Sequence, residues 1–247
     1  MKSNEYAAMF AAEQKHWWYK NLREEVTYWV KQAQAGKPIA GAKLLDLGCG
    51  TGGMLHYLQR RFENLVAFGL DYYALALEFA KQRSFYPLLR GDVKRIPFAK
   101  KSFDFILCLD VLYTREAYPG FQNTLCAIYS LLRENGMFIL QLPAFQALKS
   151  QHDLNVHGVH RFTVDEIRRT LGNAGFRRYK VYYRYNLLFA PAWLFRRVIK
   201  KPESQSHVVT PAPLLNLALY SYFKLESWLN KRLPVPFGVS VFAVAYK

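Results

Sequence analysis

Four aspartates in the first half of this 247-residue chain follow or close short apolar runs: Asp46, Asp71, Asp92 and Asp110. A carboxylate at the carboxyl end of a buried strand is placed to accept hydrogen bonds from a ligand lying across the sheet edge. After Asp46 come three glycines at alternate positions, Gly48, Gly50 and Gly52, within Leu44-Leu45-Asp46-Leu47-Gly48-Cys49-Gly50-Thr51-Gly52-Gly53. Without Cβ atoms the backbone can turn sharply there and approach a ligand closely. Asp71 is placed either to accept bonds from a ribose diol or to cap the helix that follows it; the glycine turn upstream favours the diol.

A second set of reactive groups is the histidines His152, His157 and His160, with His16 near the chain start. An imidazole titrates close to neutrality and suits proton transfer. His152 paired with Asp153, or His157, is the candidate base or orienter, set against a solvated loop held by capping contacts. The spacing of His152, Asp153, His157 and His160 matches no familiar metal motif, so no metal site is expected. Cys49, Cys108 and Cys126 fall in turn, strand and helix, reading as reduced thiols with no metal spacing and no nucleophilic role.

The elements that must position these groups alternate regularly. Residues 42–47 form a strand buried on both faces, and Met54, Leu55 and Leu58 resume at helical spacing, so the glycine turn opens a helix. Such a helix N-terminus favours a carboxylate or phosphate. Strands follow at 65–70, at Leu88-Leu89, at 103–109 and at 137–142, with helices at 74–83 and 121–132 between them. This repeat predicts an α/β fold with a doubly wound, mostly parallel sheet and right-handed crossovers. Thr163-Val164-Asp165-Glu166 is a capping box for a helix ending at Gly175. Strands at 178–185 and 239–246 complete a seven-stranded sheet. Residues 3–34 read as one leading helix, and residues 187–233 as a helical insertion before the last strand. The domains expected are a helical lid at 1–36, a cofactor-binding unit at 37–186 and 234–247, and the insertion at 187–233.

The glycine spacing separates nucleotide folds. Neither G-x-G-x-x-G nor G-x-x-x-x-G-K-[ST] fits, whereas D-x-G-x-G-x-G does. With this motif, and acids at four strand ends, residues 40–145 resemble the class I S-adenosylmethionine-dependent methyltransferases. The resemblance implies S-adenosyl-L-methionine as cofactor, its methionine half over Gly48, Gly50 and Gly52 and its ammonium near Asp46. It places the ribose diol on Asp71, the adenine face against Tyr72, and the adenine amino group at Asp92 and the Val93 N–H. Leu109 and Asp110 lie at the same carboxyl edge. The Asp/Asn-Pro-Pro-Tyr/Phe motif of base-amino methylation is absent; Leu109-Asp110-Val111-Leu112 stands in its place. The chain also resembles a bacterial branch of these enzymes through His16-Trp17-Trp18, Ser150-Gln151-His152-Asp153, His157–Phe162 and Pro236-Phe237-Gly238-Val239-Ser240. It departs from that branch at Tyr113-Thr114, where relatives read Glu-His, and at His160-Arg161-Phe162, where they read Arg-Arg-Tyr. Two adjacent tryptophans cannot share a helix face, so one of Trp17 and Trp18 should pack on the domain and the other cover something else.

The net charge is +16, and residues 151–247 hold 15 Lys and Arg against 5 Asp and Glu. Such an excess points to an anionic membrane face, an anionic substrate or RNA, or to a plain basic surface. From Pro213 to Arg232, Asn216, Tyr220, Lys224, Ser227 and Lys231 form a narrow polar stripe and the other faces are apolar. Leu187-Leu188-Phe189 and Trp193-Leu194-Phe195 precede Arg196, Arg197, Lys200 and Lys201, the order expected at a lipid interface; packing on the sheet is the alternative. No signal pattern is seen at residues 1–20 and no apolar run nears the ~20 residues of a membrane span. The expected function is methyl transfer to a small, apolar or lipid-linked acceptor, with a cytoplasmic location and a peripheral contact at the inner membrane face. An RNA methyltransferase and a non-catalytic cofactor-binding or assembly protein are the alternatives; nucleic acid ranks below the lipid partner, and no oligomer is specified.

Overall fold

Alternating aliphatic and aromatic residues pair seven strands into one sheet, in the order β3-β2-β1-β4-β5-β7-β6. The computed structural model describes residues 3–33, 40–83, 86–198, 210–233 and 235–247, without the side chains of residues 3, 4, 151, 152 and 195–198. The break expected at Gly36-Lys37-Pro38, the side chains of Arg196 and Arg197, and Lys200 and Lys201 lie outside the described residues.

The chain runs α1 (Ser3–Ala12), α2 (Trp17–Ala33), β1 (Lys43–Leu47), α3 (Gly53–Arg61), β2 (Val66–Asp71), α4 (Ala74–Lys81), β3 (Leu88–Arg90) and β4 (Phe103–Leu109). It continues with α5 (Phe121–Leu131), β5 (Leu132–Pro143), α6 (Gln151–Asn155), α7 (Val164–Asn173), β6 (Arg178–Arg184), α8 (Phe189–Val198), α9 (Pro213–Asn230) and β7 (Ser240–Tyr246). The first five strands are parallel, and β7 lies antiparallel between β5 and β6. This is the expected seven-stranded, mostly parallel doubly wound sheet with an N-terminal helical segment and a helical insertion before the last strand.

Strand periodicity sends neighbouring residues to opposite faces. Leu45, Ile106, Phe138 and Ala243 enter one core with Leu125 and Ile128 of α5 and Ile167 and Leu171 of α7. Leu44, Phe105, Ile139 and Phe242 enter the other with Val26 of α2 and Leu55 and Leu58 of α3. The capping box forms as expected, Thr163 accepting from the Glu166 N–H at 3.3 Å. The leading helix does not run unbroken: residues 13–16 turn, and α1 folds across the sheet's carboxyl edge to pack on α4, with Phe10 against Phe79. A charge causes the break. Glu13 is buried against Thr51 and Arg83, which the α2 axis would not allow.

α9 docks by its polar stripe. Asn216 accepts from the Trp17 N–H and donates to the Lys15 carbonyl, both at 2.9 Å. Glu25 of α2, buried, accepts from Ser227, from Tyr182 of β6, and from Lys231 and Trp29 at 2.8 and 2.9 Å. The apolar face consequently points outward, with Leu214 81%, Leu217 59% and Leu225 57% exposed. Among the described residues no helix is long and apolar enough to cross a membrane. Glu25→Ala would remove the buried carboxylate that Lys231, Ser227 and Tyr182 share. We expect it to lower stability by about 3 kcal/mol, read as a fall in the urea midpoint.

Candidate active site

The glycine turn folds as its composition requires. Gly48, Gly50 and Gly52 have φ of +76°, +56° and +76°, a region costly for residues with a Cβ. Space forbids side chains as well: a Cβ on Gly48 would lie 2.3 Å from Val111 Cγ2, and one on Gly52 2.1 Å from the Tyr86 hydroxyl. The turn is tied to the end of β2, where Gly48 and Cys49 donate to the Leu70 carbonyl at 2.7 and 3.0 Å. Asp71 accepts from the Gly50 N–H on Oδ2 at 2.8 Å and from the Tyr73 N–H on Oδ1 at 2.9 Å. One carboxylate thus fixes the turn, and with about four acceptor sites on its two oxygens it can also receive a ligand.

Over this edge lies a cavity of about 560 Å³. Asp46, Gly48, Gly50, Asp71, Tyr72, Asp92 and Val93 form its wall on the side of β1, β2 and β3. Leu109 and Asp110 continue it at the end of β4, and Tyr113, Pro143 and Ser240 carry it toward β5 and β7. Glu5, Tyr6 and Met9 of α1 line the cavity, as do Trp18 and Tyr19 of α2. Gly52 stands behind the wall, against Tyr86.

Trp17 is buried and stacks on Phe223 of α9 at 4.8 Å, whereas Trp18 reaches the cavity and stacks on Tyr185 at 3.9 Å. The tandem rings divide between packing and cavity.

Burial dominates the electrostatics. It pushes Asp46 up to about 7, helped by the charges of Asp71 and Glu13. Burial also raises Asp71, opposed by the backbone N–H groups of Tyr73, Gly50 and Tyr72. Asp110 is pushed up to about 6, opposed by its bond from Gln141 and by Arg184.

The histidine segment divides. The side chain of His152 lies outside the described residues. Asp153 lines the cavity, and its oxygens accept from Arg161 at 2.8 and 3.1 Å and from the Ser150 N–H at 2.7 Å. Burial would raise its pKa, but Arg161 outweighs that and holds the carboxyl below the usual range. His157 directs Nδ1 to Glu116 at 3.1 Å, and the cavity wall there is built by Glu116 and Val156. His160 turns to Glu166 at 2.9 Å and stacks on Tyr118. Among the described residues no cluster of three or more His, Cys, Asp or Glu is arranged to hold a metal ion.

Glu13, Tyr19 and Arg23 also line the cavity, though sequence reasoning passed over their roles. Glu13 accepts from Thr51 at 2.6 Å and pairs with Arg83 at 2.6 Å. Its carboxylate lies against Gly53, so the chain itself sets an anion beside the start of α3, where a ligand's carboxylate was expected.

Residues 45–140 match the family model described as "Methyltransferase domain". A phthiotriol/phenolphthiotriol dimycocerosates methyltransferase of Mycobacterium tuberculosis is 31% identical over 103 residues, 40% of this chain and 37% of that protein. A fatty-acid O-methyltransferase of Mycolicibacterium smegmatis is 31% identical over 104 residues, 41% of this chain and 37% of its own length. The chain therefore spans well under half the length of these relatives. A SAM-dependent methyltransferase from Archaeoglobus fulgidus has the same fold, with a TM-score of 0.59 at 15% identity, covering 92% of this chain and 93% of that one. These findings support a class I S-adenosylmethionine-dependent methyltransferase fold, with S-adenosyl-L-methionine as cofactor. The cavity fits that group: it has a turn whose three alternate glycines lack Cβ atoms, a carboxylate at Asp71 facing the cavity, and acids suited to a ligand of positive charge.

Asp71→Ala should weaken S-adenosylmethionine and S-adenosylhomocysteine binding at least about tenfold by calorimetry, the loss of a charged hydrogen-bond acceptor. Asp46 titrates near 7 and meets a cationic ligand only when ionised. S-adenosylmethionine affinity should therefore rise from about pH 5.5 to about pH 7, and Asp46→Asn should flatten that rise.

Proposed function

We propose that this chain is an S-adenosylmethionine-dependent methyltransferase acting on a small, apolar or lipid-linked acceptor at the inner face of a membrane. The observation that carries the reading is the single cavity that runs from the glycine turn and Asp71 to an aromatic end at Trp18, Tyr19 and Tyr113. When bound, the cofactor supplies a methyl group on a positively charged sulfur. In this reading Asp46 holds the ammonium end and Asp71 the ribose diol. Tyr72 covers the adenine face, Asp92 and Val93 meet its amino edge, and the glycines leave room for the methionine half. Leu109 closes the wall beside them.

Asp153 acts as a positioning residue through Arg161, and His157 positions Glu116, which also accepts from Tyr73 at 3.2 Å. Residues 1–36 serve as a lid over the unit formed by 37–186 and 234–247, excluding water from the reacting groups. We also assign the chain to the bacterial branch that opens on a His-Trp-Trp helix.

Residues 187–233 give the membrane contact. α9 presents Leu214, Leu217, Leu225 and Trp228 to solvent, and Arg232 lies over the Trp228 ring at 4.0 Å. Apolar side chains rimmed by cations suit an anionic lipid surface. The names of the relatives, a dimycocerosates and a fatty-acid methyltransferase, support a lipid acceptor.

Incubated with S-adenosylmethionine labelled on its methyl group and a fractionated cell extract, the protein should label the lipid fraction. Label confined to RNA would favour the alternative that the +16 charge suggests. The chain should float with vesicles of anionic phospholipid and not with vesicles of phosphatidylcholine. The triple variant Leu214→Ser, Leu217→Ser, Leu225→Ser should fold normally and lose flotation.

A further inference from the structure

The cavity reverses the sign of the chain. Against a net charge of +16, among the described residues eight carboxylates line it, facing the guanidiniums of Arg23 and Arg161 and the ring of His16. Both guanidiniums are already engaged. Arg161 holds both oxygens of Asp153 and the Ala144 carbonyl, and Arg23 bonds the carbonyls of Glu13 and Gln14. Among the described residues, an anionic acceptor would find no uncommitted guanidinium in this wall.

One carboxylate stands where the two halves of the cavity meet. In the sheet, β4 lies between β1, which carries Asp46, and β5, which leads to Pro143. Asp110 follows β4, and the next residue, Val111, packs against Gly48 of the glycine turn. Asp110 has φ of +57°, an uncommon backbone for a residue with a Cβ. Its N–H donates to the Gln141 carbonyl at 2.8 Å, and the Gln141 side-chain amide donates to its Oδ2 at 2.8 Å. That amide cannot be reversed, because Arg184, a donor with no acceptor atom, bonds Gln141 Oε1 at 2.9 Å from the other side. A buried relay therefore aims a donor at Oδ2, and Oδ1 is the oxygen left for a ligand. Tyr113, Trp18 and Tyr19 complete an aromatic wall around it.

We propose that Asp110 takes the proton of the methyl acceptor, and that the acceptor is an uncharged or cationic X–H group, an alcohol or an amine, rather than a carboxylate. This rests on the methyltransferase reading above and narrows it. From an ammonium the proton passes to Asp110 first and frees the lone pair on X, while from an alcohol or neutral amine it leaves as the bond forms. In each case that lone pair makes the X–C bond, the C–S pair remains on sulfur, and the proton goes on from Asp110 to solvent. A carboxylate acceptor has no proton to give and meets the charge of Asp110 instead.

The test uses the full chain loaded with S-adenosylhomocysteine and three probes sharing one alkyl chain: 1-decanol, decylamine and decanoate. Calorimetry should show decanol or decylamine binding at least about tenfold more tightly than decanoate. Asp110→Asn keeps the acceptor for Gln141 and removes only the charge, so it should narrow or invert that order while still binding S-adenosylhomocysteine. Labelled methyl should pass to decanol or decylamine, with turnover falling as pH drops through about 6, and Asp110→Asn should lose at least about 100-fold. Transfer to whichever of the two is methylated separates alcohol from amine. Decanoate binding as tightly as the others, no probe binding to the loaded chain, or wild-type turnover by Asp110→Asn would overturn the proposal. If S-adenosylhomocysteine itself does not bind, the methyltransferase reading fails and this inference falls with it.

Discussion

A permanently charged guanidinium, that of Arg184, is buried at 1% exposure at the end of β6, and much of the molecule is arranged to satisfy it. Removing such a charge from water costs several kcal/mol unless its donors find acceptors. Here they come from separate parts of the chain: the Gln141 side chain of β5 and the Asn21 carbonyl of α2. The rings of Tyr185 and Phe242 lie at 4.7 and 5.2 Å from the guanidinium carbon. The Arg184 carbonyl in turn accepts from the Val239 N–H, fixing the entry to β7. One cation thereby holds the N-terminal segment, the sheet and the last strand together, and orients the amide that faces Asp110.

Much of this architecture was legible in the sequence because its signals are local. Alternation of strand and helix, a glycine turn and a capping box each occupy a few consecutive residues. The acids at four strand ends could be located on the same grounds, since strand ends at the carboxyl edge are where a parallel sheet meets a ligand. Interactions spanning long separations were not legible. Glu13 finds Thr51 and Arg83, Glu25 finds Ser227 and Lys231, and Gln141 finds Arg184. No periodicity marks such partners. The leading helix read as unbroken for this reason: what bends it at residues 13–16 is a carboxylate whose partners lie far along the chain.

The distribution of charge has the same origin. Composition alone gives a basic protein, whereas topology collects carboxylates at one sheet edge and leaves the lysines and arginines mostly elsewhere. Net charge describes what the whole molecule attracts at a distance; the lining of a cavity decides what is retained there. The two need not share a sign. An anionic surface could recruit the molecule while the cavity admits a different chemical class.

The antiparallel β7 has a consequence for how the chain matures. Among the described residues β6 pairs only with β7, and β7 follows the whole helical insertion in sequence. During synthesis from the N-terminus, β1 to β5 can pair among themselves while β6 waits, its backbone donors unmatched and the far edge of β5 open. That open edge is a template for pairing with another chain. Closure of the sheet therefore waits until the insertion and β7 have been made, and a ribosome stalled within the insertion would leave a half-finished sheet that chaperones must shield.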